Sequence, residues 1–371
     1  MASLIRACGG RSEDAGLAGL DPQRLETARH VVLLVVDGLG YDILQQSGSG
    51  AVLRRYLAGS MSSVYPPTTA TAVTTYLTGL APSQHGLTGW FMYFRELGGI
   101  VTVLPFTTRL GSVPLASHRI GARDFLGHEP VFDRLAVPSY SISPARIAHS
   151  EFNLAHKGCA ELISYDSMHG FFGRIADVAR RGDRRAFTYA YWPDLDQISH
   201  HHGSRREKAV RHLAELDAGF DALLRQLAGT DTLLIVTADH GFADIDSSHI
   251  VHLAEHPALA DSLRVPLCGE PRTAYCYVAA ERQREFLDYV ELELREAAHC
   301  VASQSLIEEG VFGPGPCHPG LRERVGDFTL LMRDGYAIMQ TLPGEETPKL
   351  IGMHGGCSAA ELRVPLILAE A

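Results

Sequence analysis

The chain has 371 residues and a formal net charge of −10, with 33 Lys and Arg against 43 Asp and Glu. That balance argues against a nucleic-acid-binding face and leaves any anionic substrate to be neutralised locally, by metals or a few placed donors. Hydrophobic content of 46% with 20% charged residues excludes disordered and fibrous classes, and the length permits one large domain or two ordinary ones.

Residues 1–29 mix Gly, Arg and acidic side chains and read as a short lead-in segment, without the apolar core of a signal peptide. No stretch is apolar enough to predict a membrane span. Seven scattered cysteines without CxxC spacing (Cys8, Cys159, Cys268, Cys276, Cys300, Cys317, Cys357) fit free thiols in a reducing cytosol, so the expectation is a cytoplasmic protein.

The first patterned element is His30 followed by VVLLVV and Asp37. Six apolar, mostly β-branched residues in a row predict a central parallel strand buried on both faces, ending in the turn Asp-Gly-Leu-Gly. Next, Tyr65-Pro-Pro-Thr-Thr69 feeds a segment that can be helical until Gly79. Thr69 then stands at a helix N-terminus, where free amides favour a phosphate oxygen, although a plain capping role suits it equally. FTYAYW at 187–192 predicts another strand, running into Pro193-Asp194-Leu195-Asp196. Asp196 and His200, four residues apart, share a face if the segment turns helical; alone, the pair also suits a surface helix start.

The clearest helix spans 205–228, with Val210, Leu213, Leu216, Phe220, Leu223, Leu224 and Leu227 at helical spacing before Gly229. LLIV at 233–236 predicts a strand ending in Thr-Ala-Asp239-His240-Gly. His249, His252 and His256 read as surface histidines. FTLLM at 328–332 and VPLIL at 364–368 are further strand candidates, and His354 sits between glycines in Gly-Met-His-Gly-Gly. Strands alternating with helices predict an α/β fold, with a mostly parallel central sheet and helices on both faces. No linker or repeat divides it. Residues 30–371 read as one catalytic domain, with long insertions at about 86–185 and 243–350.

These pieces, in this order, resemble the nucleotide pyrophosphatase/phosphodiesterase (type I phosphodiesterase) branch of the alkaline phosphatase superfamily. The matching stretches are VVDGLG, YPPTTATAVTTYLTGL with SQHG, Asp196 to His200 with Gly203, TADHGF and GMHGG, spanning 31–356. The resemblance implies an alkaline-phosphatase-like fold and two divalent metal ions. Asp196, His200 and His354 would hold one, and Asp37, Asp239 and His240 the other, with Thr69 approaching it as nucleophile. Asp194 also follows a proline, but the four-residue step to His200 and the later Gly203 favour Asp196. Ligands of nitrogen and oxygen without cysteine fit zinc best.

The resemblance implies hydrolysis of phosphodiester or pyrophosphate bonds in small anionic, nucleotide-like substrates, through a phosphothreonine intermediate. Phosphonoacetate hydrolysis and phosphomonoesterase activity are alternatives on the same site, and a non-catalytic metal-binding scaffold is the alternative from another class. One departure bears on substrate. The family places an Asn shortly after Ser-x-His-Gly to hold a phosphate oxygen, whereas here that position falls close to Trp90.

Overall fold

The computed structural model describes residues 1–182 and 184–371. Its centre is a seven-stranded sheet made of β1 (His30–Val36), β2 (Leu57–Ser62), β3 (Ser139–Pro144), β4 (Glu161–Tyr165), β5 (Ala186–Trp192), β6 (Thr232–Thr237) and β7 (Arg363–Glu370). The strand order is β2-β7-β6-β1-β5-β3-β4. All pairings from β6 to β4 are parallel, while β7 runs antiparallel between β2 and β6.

The uninterrupted apolar runs are explained by burial on both sides. Successive side chains of a strand point to opposite faces, so Val31, Leu33 and Val35 enter one core and Val32, Leu34 and Val36 the other. The first core is covered by the Thr69–Thr78 helix, through Ala70, Val73 and Leu77, and by residues near the amino end, among them Leu4, Ile5 and Leu25. The second is covered by the Met168–Ala179 and Glu207–Leu227 helices. The latter buries Leu213, Leu216, Phe220, Leu223 and Leu227, each contributing about 1.5–3 kcal/mol over an exposed position. Helices on both faces of a mostly parallel sheet are thus what the alternating pattern specified.

A second seven-stranded sheet is antiparallel throughout. Its order is Ala298–Ala302, Phe328–Met332, Thr273–Cys276, Cys268–Glu270, Phe91–Phe94, Gly99–Thr102 and Thr107–Thr108. Strands from 91–108 and from 268–332 therefore meet in one sheet, joined where Gly269 pairs with Phe91. The FTLLM run belongs here, whereas VPLIL becomes β7 of the central sheet; five apolar residues in a row look alike in either place. Among the described residues no helix is long and apolar enough to cross a membrane, and all seven cysteines are free.

Candidate functional site

Strands β6, β1 and β5 are neighbours and parallel, so their carboxyl ends open onto one crevice, the place where such sheets build sites. Asp37 directly follows β1, Asp239 lies just beyond β6, and Asp196 sits in the first turn of the Asp194–His202 helix that follows β5. Gly38 makes the approach possible. It has φ +75°, and a side chain there would meet the Phe242 ring at 2.4 Å and Asp196 Cα at 3.2 Å.

At the sealed end, His240 Nε2 lies 3.2 Å from Asp37 Oδ1 and 3.6 Å from Asp239 Oδ2. The Thr69 hydroxyl, at the N-terminus of its helix, is 3.2 Å from the same nitrogen. At the open end, Asp196 Oδ1 is 3.3 Å from His200 Nε2 and 3.8 Å from His354 Nε2, and the two imidazole nitrogens are 3.2 Å apart. His240 borders both ends: its Nε2 is 3.8 Å from Asp196 Oδ1, and its ring stacks on His354 with centroids 3.6 Å apart. All seven residues singled out in the sequence are therefore gathered in one place.

The residues fit divalent cations in several respects. The Nδ1 atoms of His240 and His200 face the carbonyls of Gly241 and Gly352, at 3.0 and 2.8 Å. A carbonyl can only accept, so each ring spends its N–H there and presents Nε2 as a lone pair. Each carboxylate is divided in the same way. Asp37 Oδ2 accepts from the Tyr191 hydroxyl, and Asp239 Oδ1 accepts the Gly38 and His240 amides, both at 3.0 Å. The other oxygens, Asp37 Oδ1 and Asp239 Oδ2, are buried with no donor among the described residues, as is Asp196 Oδ1. Anionic oxygens buried without donors are costly unless a cation meets them.

Two groups, Asp37/Asp239/His240 and Asp196/His240/His354, have the mutual spacing of metal ligands, and the distances above bring His200 within reach of the second. Without a cation, burial and then the Asp196 charge push the Asp37 carboxyl well above its usual range, and burial followed by Asp37 does the same to Asp239. For Asp196 burial works the same way, but His200 and His240 outweigh it and hold the carboxyl below its ordinary value.

Other acidic and histidine candidates lie outside the cluster. Asp194 pairs with Arg146 at 2.8 Å, His201 and His202 are exposed, His249 stacks on Tyr336, and His256 bonds the Tyr289 hydroxyl at 2.8 Å.

The structure adds residues that sequence reading missed. Tyr191 holds Asp37 from β5; its only signal was a hydroxyl near the end of a buried strand. The buried pair Arg272–Glu361 braces the His354 loop, since Glu361 Oε1 accepts the Gly356 amide at 2.8 Å while both carboxylate oxygens meet Arg272. Glu270 is buried beside Thr68, the residue before Thr69. Its Oε1 accepts the Thr68 hydroxyl at 2.7 Å and the Trp90 amide at 2.6 Å. Burial, opposed by those two donors, pushes its carboxyl up to about 7. A cavity of about 750 Å³ opens over Thr69, His200 and His354, with Trp90, Glu270 and Arg109 in its wall.

Residues 31–356 match the model of the type I phosphodiesterase / nucleotide pyrophosphatase family. The chain belongs to that family. Among solved structures, it is similar to murine ectonucleotide pyrophosphatase/phosphodiesterase 5, with TM-score 0.66 and 17% identity over 91% of this chain and 87% of that one. The human form of that protein gives TM-score 0.65 and 15% identity over the same shares, 91% and 87%. Phosphonoacetate hydrolase from Sinorhizobium meliloti 1021, in complex with phosphonoformate, gives TM-score 0.67 and 16% identity over 92% and 90%. At such identities the likeness establishes the fold. No curated protein matches the chain. Family membership and the two ligand clusters together make this a metal-dependent phosphoester hydrolase.

Proposed function

We propose that the chain hydrolyses phosphodiester or pyrophosphate bonds of small nucleotide-like substrates, with Thr69 as the nucleophile. Asp37, Asp239 and His240 would hold one divalent cation, and Asp196, His200 and His354 the other; nitrogen and oxygen donors without cysteine favour zinc. Cations so held would supply Lewis-acid stabilisation of charge on the attacking and departing oxygens. Thr69 Oγ1, at the start of its helix, forms the bond to phosphorus as the ester oxygen leaves, giving a phosphothreonine. The amides of that first turn receive the phosphoryl oxygens. Water then opens the phosphothreonine and restores the hydroxyl. This chemistry belongs to one catalytic domain, residues 30–371, with 1–29 as its lead-in. Seven free thiols favour the cytoplasm as its place of action.

One observation favours diesters over the alternatives: the side chain of Arg109 is the only Lys or Arg among the described residues lining the cavity. It is 4% exposed and already bound to Glu345 and to the Leu267 and Gln340 carbonyls. Phosphonoacetate would need a basic group for its carboxylate, and a monoester would need one for its extra phosphate charge. Neither is free here. A non-catalytic scaffold, in turn, gives no reason to hold a threonine hydroxyl 3.2 Å from His240, the histidine that borders both ligand groups.

The test compares bis-(p-nitrophenyl) phosphate, p-nitrophenyl phosphate and phosphonoacetate, with and without chelator, for the wild type and Thr69→Ala. The diester is expected to be preferred. Chelation or the substitution should cost several orders of magnitude in turnover, as losing a nucleophile does elsewhere. Undiminished activity in Thr69→Ala would remove the covalent route, and bound zinc without turnover of any of the three substrates would favour the scaffold.

A further inference from the structure

We infer that Glu270 sets the charge preference of this site: its carboxylate admits a phosphorus bearing one negative charge and rejects one bearing two. The inference rests on the hydrolase reading above and deepens it.

Glu270 ends a short strand of the second sheet and reaches between the two stretches that carry the site. On one side it holds Thr68, the residue before the nucleophile. On the other lies Gly355, directly after His354. Gly355 has φ +96°, and a side chain there would come within 2.7 Å of Glu270 Cγ, so the glycine is what lets the carboxylate sit against this loop. The side chain is therefore held between the residue before Thr69 and the residue after His354 rather than placed on a distant wall.

Its two oxygens differ. Oε1 takes both donors, the Thr68 hydroxyl and the Trp90 amide. Oε2 has no partner among the described residues, is not sealed from solvent, and belongs to a side chain that lines the cavity shared with Thr69, His200 and His354. Two donors fixed on one oxygen favour the ionised form. The Trp90 backbone N–H is spent on Glu270 Oε1, so this wall substitutes an acceptor for the donor that a phosphate oxygen would take.

Charge bookkeeping gives this substitution a direction. Two dications outweigh three aspartates by a single positive charge, and Glu270 cancels it. The phosphorus under attack carries one negative charge in a diester and in the inner phosphate of a pyrophosphate, but two in a monoester above neutral pH. Like charges in a partly dehydrated cavity repel far more than in water. The fourth carboxylate therefore penalises the monoester most, and no free basic side chain in the cavity offsets it.

The experiment uses the zinc-loaded full chain at pH 8.5 and the substitution Glu270→Gln, which keeps an oxygen for Thr68 and Trp90 and removes the charge. The ratio of kcat/KM for p-nitrophenyl phosphate to that for bis-(p-nitrophenyl) phosphate should rise at least tenfold, and inorganic phosphate should inhibit at tenfold lower concentration. An unchanged ratio, or an equal fall on both substrates, would overturn the inference and leave Glu270 as a brace. Should the variant fail to fold, the wild type decides. Dimethyl phosphate, a monoanion, is expected to inhibit at lower concentration than inorganic phosphate, and the reverse order overturns the inference. Full activity in Thr69→Ala would instead sink the covalent reading while leaving this ratio intact.

Discussion

His200 and His354 bring their Nε2 atoms to 3.2 Å from each other, although His200 has already committed its Nδ1–H to the Gly352 carbonyl. Burial opposes a charge on His200, yet Asp196 draws the imidazole up to about 9.

This arrangement fixes a sign for stability against pH. Asp37, Asp239 and His200 all bind protons more tightly in the metal-free fold than in an unfolded chain. Their contribution is fully present below the unfolded values, about 3.9 for Asp and 6.5 for His, and is lost as pH rises through the raised folded values. Cations in place of those protons remove the loss. The gap in Tm between zinc-loaded and chelated protein should therefore be wider at pH 8.5 than at pH 5.5. Thermal denaturation at the two pH values checks this, and an equal gap would contradict that sign.

Tyr191→Phe removes the one hydroxyl that orients Asp37 while keeping the ring in its buried place on β5. Partners of ligand residues typically contribute 10–100-fold to metal affinity. Competition with a fluorescent chelator should show a loss of about that size for one of the two metal equivalents, with the far-ultraviolet circular dichroism spectrum unchanged.

Glu361→Ala removes the close partner of Arg272, since both side chains are fully shielded from solvent, and leaves that guanidinium only Asp334 at 3.9 Å and the Arg333 and Tyr336 carbonyls. Removing one partner of such a pair costs about 3–5 kcal/mol. Urea denaturation should show that loss. The variant should also bind metal more weakly at the His354 end, because the Gly356 amide loses its acceptor.

The parts of the site legible in sequence were those attached to strong local patterns. Asp37 and Asp239 follow unbroken apolar runs, and in an α/β sheet the ends of such runs are where ligands collect. Asp196 was fixed by its step to His200 and the later glycine. Glu270 had no such handle. It lies on a three-residue strand, and only the meeting of 91–108 with 268–332, at Gly269 and Phe91, turns it toward Thr68. The same holds for Glu361 and Arg272, 89 positions apart, one in a short helix and the other in a turn between strands of the second sheet. Periodicity reports which face of an element is buried. It does not report which distant element covers that face.

The placement of β7 has a consequence for how the molecule assembles. Residues 363–370 form the wall between β2 and β6, so neither of those strands can complete its ladder until a segment made well after both has joined them. Pairings of such long sequence separation form slowly. Until that segment arrives the edge of β6 stays open, and an open strand edge is a template on which a second chain can pair.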